Sequence, residues 1–216
     1  MLVCDMAGTT INENGIVYKT LYNCIKKVND KINMKDMNKY HGYNKTEVME
    51  YYLNQTDIID KNKTFEMMKQ EFTDTLEHEY KYNPEIELIH PTLPDFFNDL
   101  RKDNIKICLN TGYNKHIQKI LIDKFNMNEY IDDYISSEEV MRGRPYPCMI
   151  KTLMLRNQIY NPMTIIKIGD TCIDIQEGKN MNCLTVGVLS GADSKVHLMK
   201  HNPTFIVDNI IDIKVS

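Results

Sequence analysis

Two patterns of apolar and polar residues divide the chain. Between residues 17 and 85, apolar side chains recur at spacings of three, four and seven residues, which predicts amphipathic helices and no strand. After residue 86, short apolar runs that predict strands alternate with helical patterns. The predicted helices are 17–32, 46–53, 63–80, 93–100, 117–125 and 149–155. The predicted strands are 105–109, 164–168, 183–189 and 204–207, together with the run 2–4.

Strands that alternate with helices are typical of a parallel sheet with helices on both faces. The simplest assembly places residues 2–4 in the same sheet as the later strands. The helical stretch is then an insertion after the first strand, above the carboxyl edge of the sheet. The sequence therefore predicts an α/β fold with a doubly wound, mostly parallel sheet. It divides the chain into a core domain of residues 1–13 and 86–216 and an inserted all-helical cap domain of residues 14–85.

The composition argues against several classes of function. The 26 basic and 30 acidic residues give a net charge of −4 and are spread without long runs, so no surface for nucleic acid or an anionic membrane is predicted. No stretch approaches the roughly 20 apolar residues of a membrane span, and the first residues lack the basic and apolar regions of an export signal. The six cysteines show no Cys-x-x-Cys pairing, which indicates reduced thiols. We therefore expect a soluble, cytoplasmic protein that acts on a small molecule.

Carboxylates follow two of the predicted strands. Asp5 comes directly after residues 2–4, and Asp170 follows the strand predicted at 164–168. Because the carboxyl ends of parallel strands meet at one edge of the sheet, the two carboxylates should lie close together and repel each other unless one is protonated or a cation intervenes. Such an oxygen-rich site suits Mg²⁺. Asp174, at helical spacing from Asp170, either orients the metal site or is an acidic residue at a helix N-terminus.

The residues after Asp5 are suited to binding an anion. Gly8 lets a ligand approach the backbone closely, and the amides of Gly8, Thr9 and Thr10 are donors, as are the two threonine hydroxyls. The alternative is that Asp5 forms a helix cap or a turn, which is the commoner role of an aspartate at a strand end.

Two further segments contain candidate phosphate ligands. Thr111 follows the predicted strand 105–109, where its hydroxyl and the Gly112 amide are suited to binding a phosphate oxygen or to capping a helix. The chain has 22 lysines and only four arginines, and residues 141–147 contain two of the four, among them Arg144. An arginine in a chain so rich in lysine indicates a geometric need such as bidentate phosphate binding, and a surface turn with chance charges is the alternative.

Four segments resemble, in order, the sequence motifs of the haloacid dehalogenase superfamily, in the form carried by phosphonoacetaldehyde hydrolase (phosphonatase) and its phosphonatase-like relatives. The segments are Asp5 to Thr10, Thr111 to Tyr113, Gly143 to Pro147 and Gly169 to Asp174. The resemblance covers most of the chain and implies a Rossmann-like core with a helical cap. It implies that Asp5 attacks phosphorus and that Mg²⁺ is held by Asp5, the Ala7 carbonyl and Asp170, with Asp174 beside them.

The same resemblance implies a substrate-binding set. Arg144 and Thr111 would hold the phosphoryl oxygens. The other residues predicted to bind substrate or phosphate are Gly8, Thr9, Gly112, Tyr113 and His41.

Ala7 and Lys45 define the predicted reaction. Phosphatases of the superfamily have a second aspartate at the position of Ala7 as general acid, and because alanine cannot donate a proton, ester hydrolysis is disfavoured. Cleavage of a phosphorus–carbon bond expels a carbanion, which needs an electron sink such as the iminium between a lysine and a neighbouring carbonyl. The segment from His41 to Lys45 resembles the cap motif whose lysine forms this Schiff base, so we assign that role to Lys45. Its pKa should then fall well below the ordinary value of about 10.4.

The chain departs from phosphonatases proper at three positions. His41, Val48 and Gly15 stand where these enzymes usually have Met, His and Cys. The proton transfer around Lys45 is therefore open, and His41 is either its proton carrier or a structural residue. Residues 191–194 and 206–209 resemble the phosphonatase-like branch more closely, which leaves another 2-oxoalkylphosphonate open as the substrate.

The sequence thus predicts a Mg²⁺-dependent hydrolase that cleaves the C–P bond of phosphonoacetaldehyde or a relative of it. The reaction would form an aspartyl phosphate on Asp5 and a Schiff base on Lys45. Two alternatives remain, a phosphatase acting on a small phosphate ester and a catalytically idle binding protein with the same fold. The intact motif residues argue against the idle protein, namely Asp5, Thr111, Arg144 and Asp170. A homodimer formed through the cap is a further expectation from the resemblance.

Overall fold

The computed structural model describes residues 1–41 and 43–214. The strands are β1 (Leu2–Asp5), β2 (Ile11–Asn12), β3 (Glu87–Leu88), β4 (Ile107–Thr111), β5 (Asp133–Ser136), β6 (Ile166–Gly169), β7 (Leu184–Val188) and β8 (Phe205–Val207). The α-helices are α1 (Ile16–Lys26), α2 (Lys45–Asn54), α3 (Lys61–Tyr82), α4 (Leu93–Lys102), α5 (Lys115–Lys124), α6 (Cys148–Arg156), α7 (Cys172–Asn180) and α8 (Lys195–Lys200). A 3-10 helical segment, Met34–Tyr40, lies between α1 and α2.

Six strands form one parallel sheet in the order β5-β4-β1-β6-β7-β8. β1 lies in its interior, where Cys4 is in register with Leu109 of β4 and Ile168 of β6, and Asp5 is in register with Asn110. All four residues of β1 are buried. The predicted α/β fold with a doubly wound parallel sheet is confirmed, and its topology brings the ends of β1, β4 and β6 to one edge.

Two apolar clusters lie on opposite faces of this sheet. Leu2 and Cys4 of β1 belong to the larger cluster, which includes side chains of α1, α3, α4 and α5. Val3 points to the other face and belongs to the smaller cluster, which includes side chains of α6. Because β1 is packed from both sides, the backbone that ends in Asp5 has a fixed position.

The chain between β2 and β3 is helical, as predicted. Ile11 of β2 pairs with Leu88 of β3, and this antiparallel ribbon brings the two ends of the helical segment together. α1 packs against α2 and α3 through a buried face that includes Val17 and Leu21. Among the described residues, no helix combines the length and the apolar character needed to cross a membrane. The domain boundaries near residues 13 and 85 stay a prediction.

The first helix is shorter than predicted. The pattern predicts a helix over 17–32, but α1 ends at Lys26. The Asn29 side chain donates to the Tyr52 carbonyl at 3.2 Å and accepts from the Lys31 amide at 3.2 Å. These bonds give the backbone an alternative to further helical turns, so the prediction is wrong beyond Lys26.

Near the site, the strands also differ from the prediction. β4 ends two residues later than the predicted 105–109, so Thr111 lies within the sheet, in register with Ser136 of β5. β5, α7 and α8 have no predicted counterpart. β5 is an edge strand with two partly exposed residues, Asp133 and Tyr134, and therefore lacks the continuous apolar run of a buried parallel strand.

Candidate active site

Three carboxylates meet at the carboxyl edge of the sheet. Asp5 ends β1, Asp170 directly follows β6, and Asp174 lies in the first turn of α7. One carboxylate oxygen from each residue lies within 4.8 Å of a carboxylate oxygen of each of the other two, and all three residues are buried. The structure therefore brings together the carboxylates that the sequence predicts to be neighbours.

Arg144 balances two of these charges. Its Nη1 is 2.7 Å from Oδ1 of Asp5 and also hydrogen-bonds Oδ1 of Asp174. The Arg144 side chain is buried, and its Nε has no hydrogen-bond partner within the described residues. A buried donor without a partner carries a free-energy cost, which a ligand oxygen would relieve.

The three carboxylates differ in how their charge is balanced. Burial raises the pKa of Asp5, although the charge of Arg144 opposes this. Burial and the charges of Asp5 and Asp174 raise the pKa of Asp170 well above its ordinary range. Burial alone would also raise the pKa of Asp174, but Arg144 and Lys167 hold it well below its usual value. In the described part of the chain, Asp170 has no ion pair.

The cluster fits a hard divalent cation. Carboxylate oxygens are the donors that such ions prefer, and a cation would offset the unbalanced charge of Asp170. Asp170 is already oriented, because its Oδ2 accepts from the Ala192 amide at 2.7 Å and its Oδ1 from the Thr9 hydroxyl at 3.2 Å. Ala7, whose carbonyl the resemblance implies as a further ligand, lines the same pocket as Asp5 and Asp170.

A buried lysine behind the cluster was not predicted as a site residue. Lys167 Nζ lies 2.9 Å from Oδ1 of Asp174 and 3.5 Å from Oε2 of Glu177, and donates to Oδ1 of Asn110 at 2.7 Å. All four side chains are buried. The sequence contained one signal for this residue, because Lys167 stands between Ile166 and Ile168 in an apolar run that predicts a buried strand. A buried lysine needs an oppositely charged partner.

The turn after β1 does not present its amides to a ligand. The Gly8 amide donates to the Ile11 carbonyl at 2.8 Å, and the Thr9 and Thr10 amides donate to the Met6 carbonyl at 3.2 and 2.9 Å. The prediction that these amides bind an anion is therefore wrong. The tight turn into β2 satisfies them internally.

The same turn shapes the carboxylate cluster instead. The Thr10 hydroxyl donates to the Asp5 carbonyl at 3.1 Å, and the Thr9 hydroxyl is bonded to Asp170. Gly8 has φ of 81°, and a Cβ at this position would lie 2.6 Å from Oδ2 of Asp170. Glycine is therefore needed here for the approach of a carboxylate to the backbone.

Lys45 lies in the pocket that contains Asp5 and Arg144. It is the first residue of α2, and its side chain is buried. The ammonium Nζ donates to the Tyr43 carbonyl at 2.7 Å and lies 4.8 Å from the centre of the Tyr18 ring. The structure thus places the lysine of the helical segment beside the end of β1.

The environment of Lys45 shifts its protonation equilibrium toward the neutral amine. Burial lowers its pKa to about 8, and the positive charge of Arg144 acts in the same direction, whereas the negative charges of Glu13, Asp5 and Asp170 oppose the shift. The predicted lowering of this pKa is confirmed. Part of the population then carries a free amine near neutral pH, which is the form that attacks a carbonyl.

Glu13 and two tyrosines form a buried hydrogen-bonded group beside Lys45. The Tyr113 hydroxyl donates to Oε2 of Glu13 at 2.6 Å and lies 2.6 Å from the Tyr80 hydroxyl, which also bonds Glu13. Burial raises the pKa of Glu13. Tyr113, predicted to bind substrate, lines the pocket but commits its hydroxyl to this group. Glu13 lies outside every motif, so no sequence signal identified it.

Thr111 and Gly112, both predicted to bind substrate or phosphate, line the pocket that contains Asp5. The Thr111 hydroxyl oxygen accepts from the Tyr113 amide at 3.2 Å, which leaves its proton for another acceptor. This arrangement serves the turn after β4 and is also compatible with a ligand oxygen.

His41 lies outside the small pocket of Asp5. It lines a neighbouring cavity of about 380 Å³ that Gly8 and Asp170 also line. Its Nδ1 is 3.3 Å from Oδ1 of Asp193, and its ring contacts that of Tyr18 at 4.6 Å between centroids. These contacts hold the imidazole in place, and its substrate role stays a prediction. Gly42, the next residue of this segment, lies outside the described residues.

Curated relatives of the chain include two proteins named phosphonoacetaldehyde hydrolase. The protein from Latilactobacillus sakei subsp. sakei (strain 23K) is 39% identical over 94 residues, which cover 43% of this chain and 36% of the relative. The protein from Bacteroides fragilis (strain YCH46) is 30% identical over 155 residues, which cover 68% of this chain and 55% of the relative. The matched part of the chain thus spans about half or less of the length of these relatives.

Solved structures of other proteins share the fold, and two of them illustrate the likeness. A phosphonoacetaldehyde hydrolase like protein from Oleispira antarctica matches with a TM-score of 0.81 and 19% identity, over 98% of this chain and 88% of that one. A predicted phosphoglycolate phosphatase from Haemophilus somnus 129pt matches with a TM-score of 0.79 and 18% identity, over 98% of this chain and 95% of that one. At these identities the likeness shows the fold alone.

A family model settles the membership. The model of the haloacid dehalogenase-like hydrolases matches residues 2–188, which include the four motifs and the carboxylate cluster. This match confirms the predicted resemblance, and the chain belongs to the family of haloacid dehalogenase-like hydrolases.

Proposed function

We propose that this hydrolase cleaves the carbon–phosphorus bond of phosphonoacetaldehyde or of a related 2-oxoalkylphosphonate. The observation that carries the proposal is a lysine of lowered pKa in one buried pocket with Asp5 and Arg144. Such substrates carry a carbonyl and a phosphoryl group two bonds apart, and the pocket offers an amine for the first and a carboxylate for the second. The names of the two curated relatives support the same substrate class.

The phosphoryl end would lie against Asp5. The free Nε donor of Arg144 and the hydroxyl proton of Thr111 are suited to the phosphoryl oxygens. Mg²⁺ would be held by Asp5, Asp170 and the Ala7 carbonyl, with Asp174 orienting the site, and would neutralise charge on the carboxylates and the phosphoryl oxygens. Arg144 also favours the ionised form of the nucleophilic carboxylate, because its guanidinium opposes the effect of burial on the pKa of Asp5.

The carbonyl end would react with Lys45. Its neutral Nζ adds to the aldehyde carbon, and loss of water leaves a protonated imine. A carboxylate oxygen of Asp5 then bonds to phosphorus while the P–C bond breaks, and the electron pair of that bond moves through the adjacent carbon to the iminium nitrogen. Protonation of the resulting enamine and hydrolysis of the imine release acetaldehyde and restore Lys45. Water hydrolyses the acyl phosphate on Asp5 and releases phosphate.

Ala7 favours this reaction over ester hydrolysis. An ester's alkoxide leaving group needs a proton in the transition state, and the methyl group of Ala7 has none to give. Departure as an enamine needs no acid at this position, because the iminium nitrogen takes up the electron pair. The pocket of Asp5 is therefore better suited to a phosphonate with a neighbouring carbonyl.

Trapping the imine tests the proposal. With phosphonoacetaldehyde and Mg²⁺, we expect the protein to release phosphate, and borohydride reduction should attach the two-carbon unit to Lys45, as read by peptide mass spectrometry. Lys45→Arg should abolish both results because its guanidinium cannot form the imine. Lys63→Arg, at an exposed lysine of α3, is the matched control and should retain both. Turnover of p-nitrophenyl phosphate without turnover of the phosphonate would favour the phosphatase, and turnover of neither would favour the idle binding protein.

The reactivity of Lys45 should depend on pH through its lowered pKa. Because only the neutral amine reacts, labelling of Lys45 by an acylating reagent should rise as the pH rises through about 8 in the Mg²⁺-free protein. Glu13→Gln should move this midpoint to lower pH, since the Glu13 carboxylate raises the pKa of Lys45. Lys63 provides the internal reference. A Lys45 midpoint equal to that of Lys63 would contradict the prediction.

A further inference from the structure

A second group of metal-binding side chains lies away from the carboxylates. Cys172 is the first residue of α7, His197 lies in α8, and His201 directly follows α8. The Cys172 sulfur and one ring nitrogen of each histidine lie within 4.8 Å of one another. Positions four residues apart on a helix share a face, which explains why the two imidazoles approach Cys172 together. All three side chains are partly exposed, so an ion can reach them from solvent.

Neighbouring side chains orient both imidazoles. Oδ1 of Asp193 is 3.1 Å from Nδ1 of His197, and the Gln176 amide is 3.0 Å from Nδ1 of His201. The Asp193 carboxylate favours the His197 tautomer that carries its proton on Nδ1, which leaves Nε2 of that ring for a ligand. A carboxylate behind the Nδ1 of a ligating histidine is the usual arrangement in metal sites, because it fixes the ring and strengthens the other nitrogen as a donor.

The donor set selects a different class of ion from the carboxylate cluster. One sulfur and two imidazole nitrogens suit Zn²⁺ and similar transition metal ions, whereas Mg²⁺ prefers oxygen. A cavity of about 260 Å³ adjoins the three side chains and leaves room for water as a fourth ligand.

We propose that Cys172, His197 and His201 form a binding site for a transition metal ion of the Zn²⁺ type, in addition to the carboxylate cluster. The ion joins the beginning of α7 to the end of α8. The segment between β7 and α8 that it encloses includes Ala192, whose amide donates to Asp170, so the ion fixes a loop that orients Asp170.

Cobalt binding tests the site directly. Co²⁺ occupies sites of this type and reports a thiolate ligand through a sulfur-to-cobalt charge-transfer band. In the full chain with saturating Mg²⁺, we expect one Co²⁺ per chain to produce this band. Added Zn²⁺ should displace the Co²⁺ and remove the band. Zn²⁺ should also raise the midpoint of thermal unfolding. Absence of the band, or a band that Zn²⁺ leaves unchanged, would overturn the proposal.

Matched variants locate the ion. Cys172→Ser should abolish the band, and His201→Gln, at a partly exposed position, should weaken Co²⁺ binding at least tenfold and provides a second variant if the first does not fold. Cys183→Ser, at another partly exposed cysteine, should keep the band, as should Asp170→Asn in the carboxylate cluster. A band that survives both Cys172→Ser and His201→Gln would contradict the site. A band that is lost in Asp170→Asn but kept in Cys172→Ser and His201→Gln would place the ion at the carboxylate cluster and would contradict it as well.

Discussion

Asp5→Asn is expected to lower phosphate release from phosphonoacetaldehyde by about 10³-fold or more, since an amide cannot replace a carboxylate as nucleophile. The substitution should leave the fold intact. It removes one of three carboxylates whose oxygens lie within 4.8 Å of each other, and Arg144 keeps its second partner, Asp174. Steady-state phosphate release and urea unfolding, measured on the same preparation, separate the two effects.

The control for this variant is Asp208→Asn, which makes the same chemical change at an exposed position outside the pocket. It should keep the activity of the unchanged protein. Asp5 is also the residue expected to bind beryllium fluoride as a mimic of its phosphorylated form, so Asp5→Asn should lose that Mg²⁺-dependent complex. If Asp5→Asn retained phosphate release within a few fold, another residue would have to be the nucleophile.

Lys167→Met is expected to lower the free energy of unfolding by about 3–5 kcal/mol, the usual cost of removing one partner of a buried ion pair. Lys167 is fully buried, and its ammonium is close to Asp174 and Glu177 as well as to Asn110. Methionine fills a similar volume but leaves Glu177 without an ion-pair partner among the residues that the structure describes. Urea denaturation at constant pH measures the loss.

A double variant distinguishes the charge effect from a packing effect. Glu177→Gln removes the charge that Lys167→Met leaves unpaired, so the combination should recover part of the lost stability, and the coupling between the two changes should exceed about 1 kcal/mol. Lys151→Met, at an exposed lysine of α6, is the control and should change the stability by less than about 0.5 kcal/mol. Additive losses from Lys167→Met and Glu177→Gln would contradict the role given to the ion pair.

Lys167 and Asp5 belong to one network of buried charges. Lys167 holds Asp174, which shares Arg144 with Asp5. A change at Lys167 is therefore expected to alter the position of Arg144 as well as the stability. The sequence identifies Asp5 and Arg144 by their motifs, but the lysine that supports them lies in a strand where a sequence pattern predicts only apolar residues.

Local regularities explain what was predictable near the site. Asp5, Thr111 and Asp170 follow or end apolar runs, and in a parallel sheet such positions converge at one edge. The role of the Gly8 turn was not predictable in this way. Its amides were expected to bind an anion, yet they close a turn into β2, because the partner carbonyls of Met6 and Ile11 are available only once that turn has formed.

The sequence by itself determined the fold class, the helical segment after the first strand and the residues of the four motifs, because these depend on periodicity and on chemistry within a few neighbouring positions. Only the tertiary structure decided which charges are paired. It connects Arg144 to both Asp5 and Asp174, leaves Asp170 without an ion pair among the described residues, and encloses Lys45 with Glu13 and Arg144. These outcomes depend on burial and on distances between segments far apart in the chain, and both arise only when the sheet and the helices pack together.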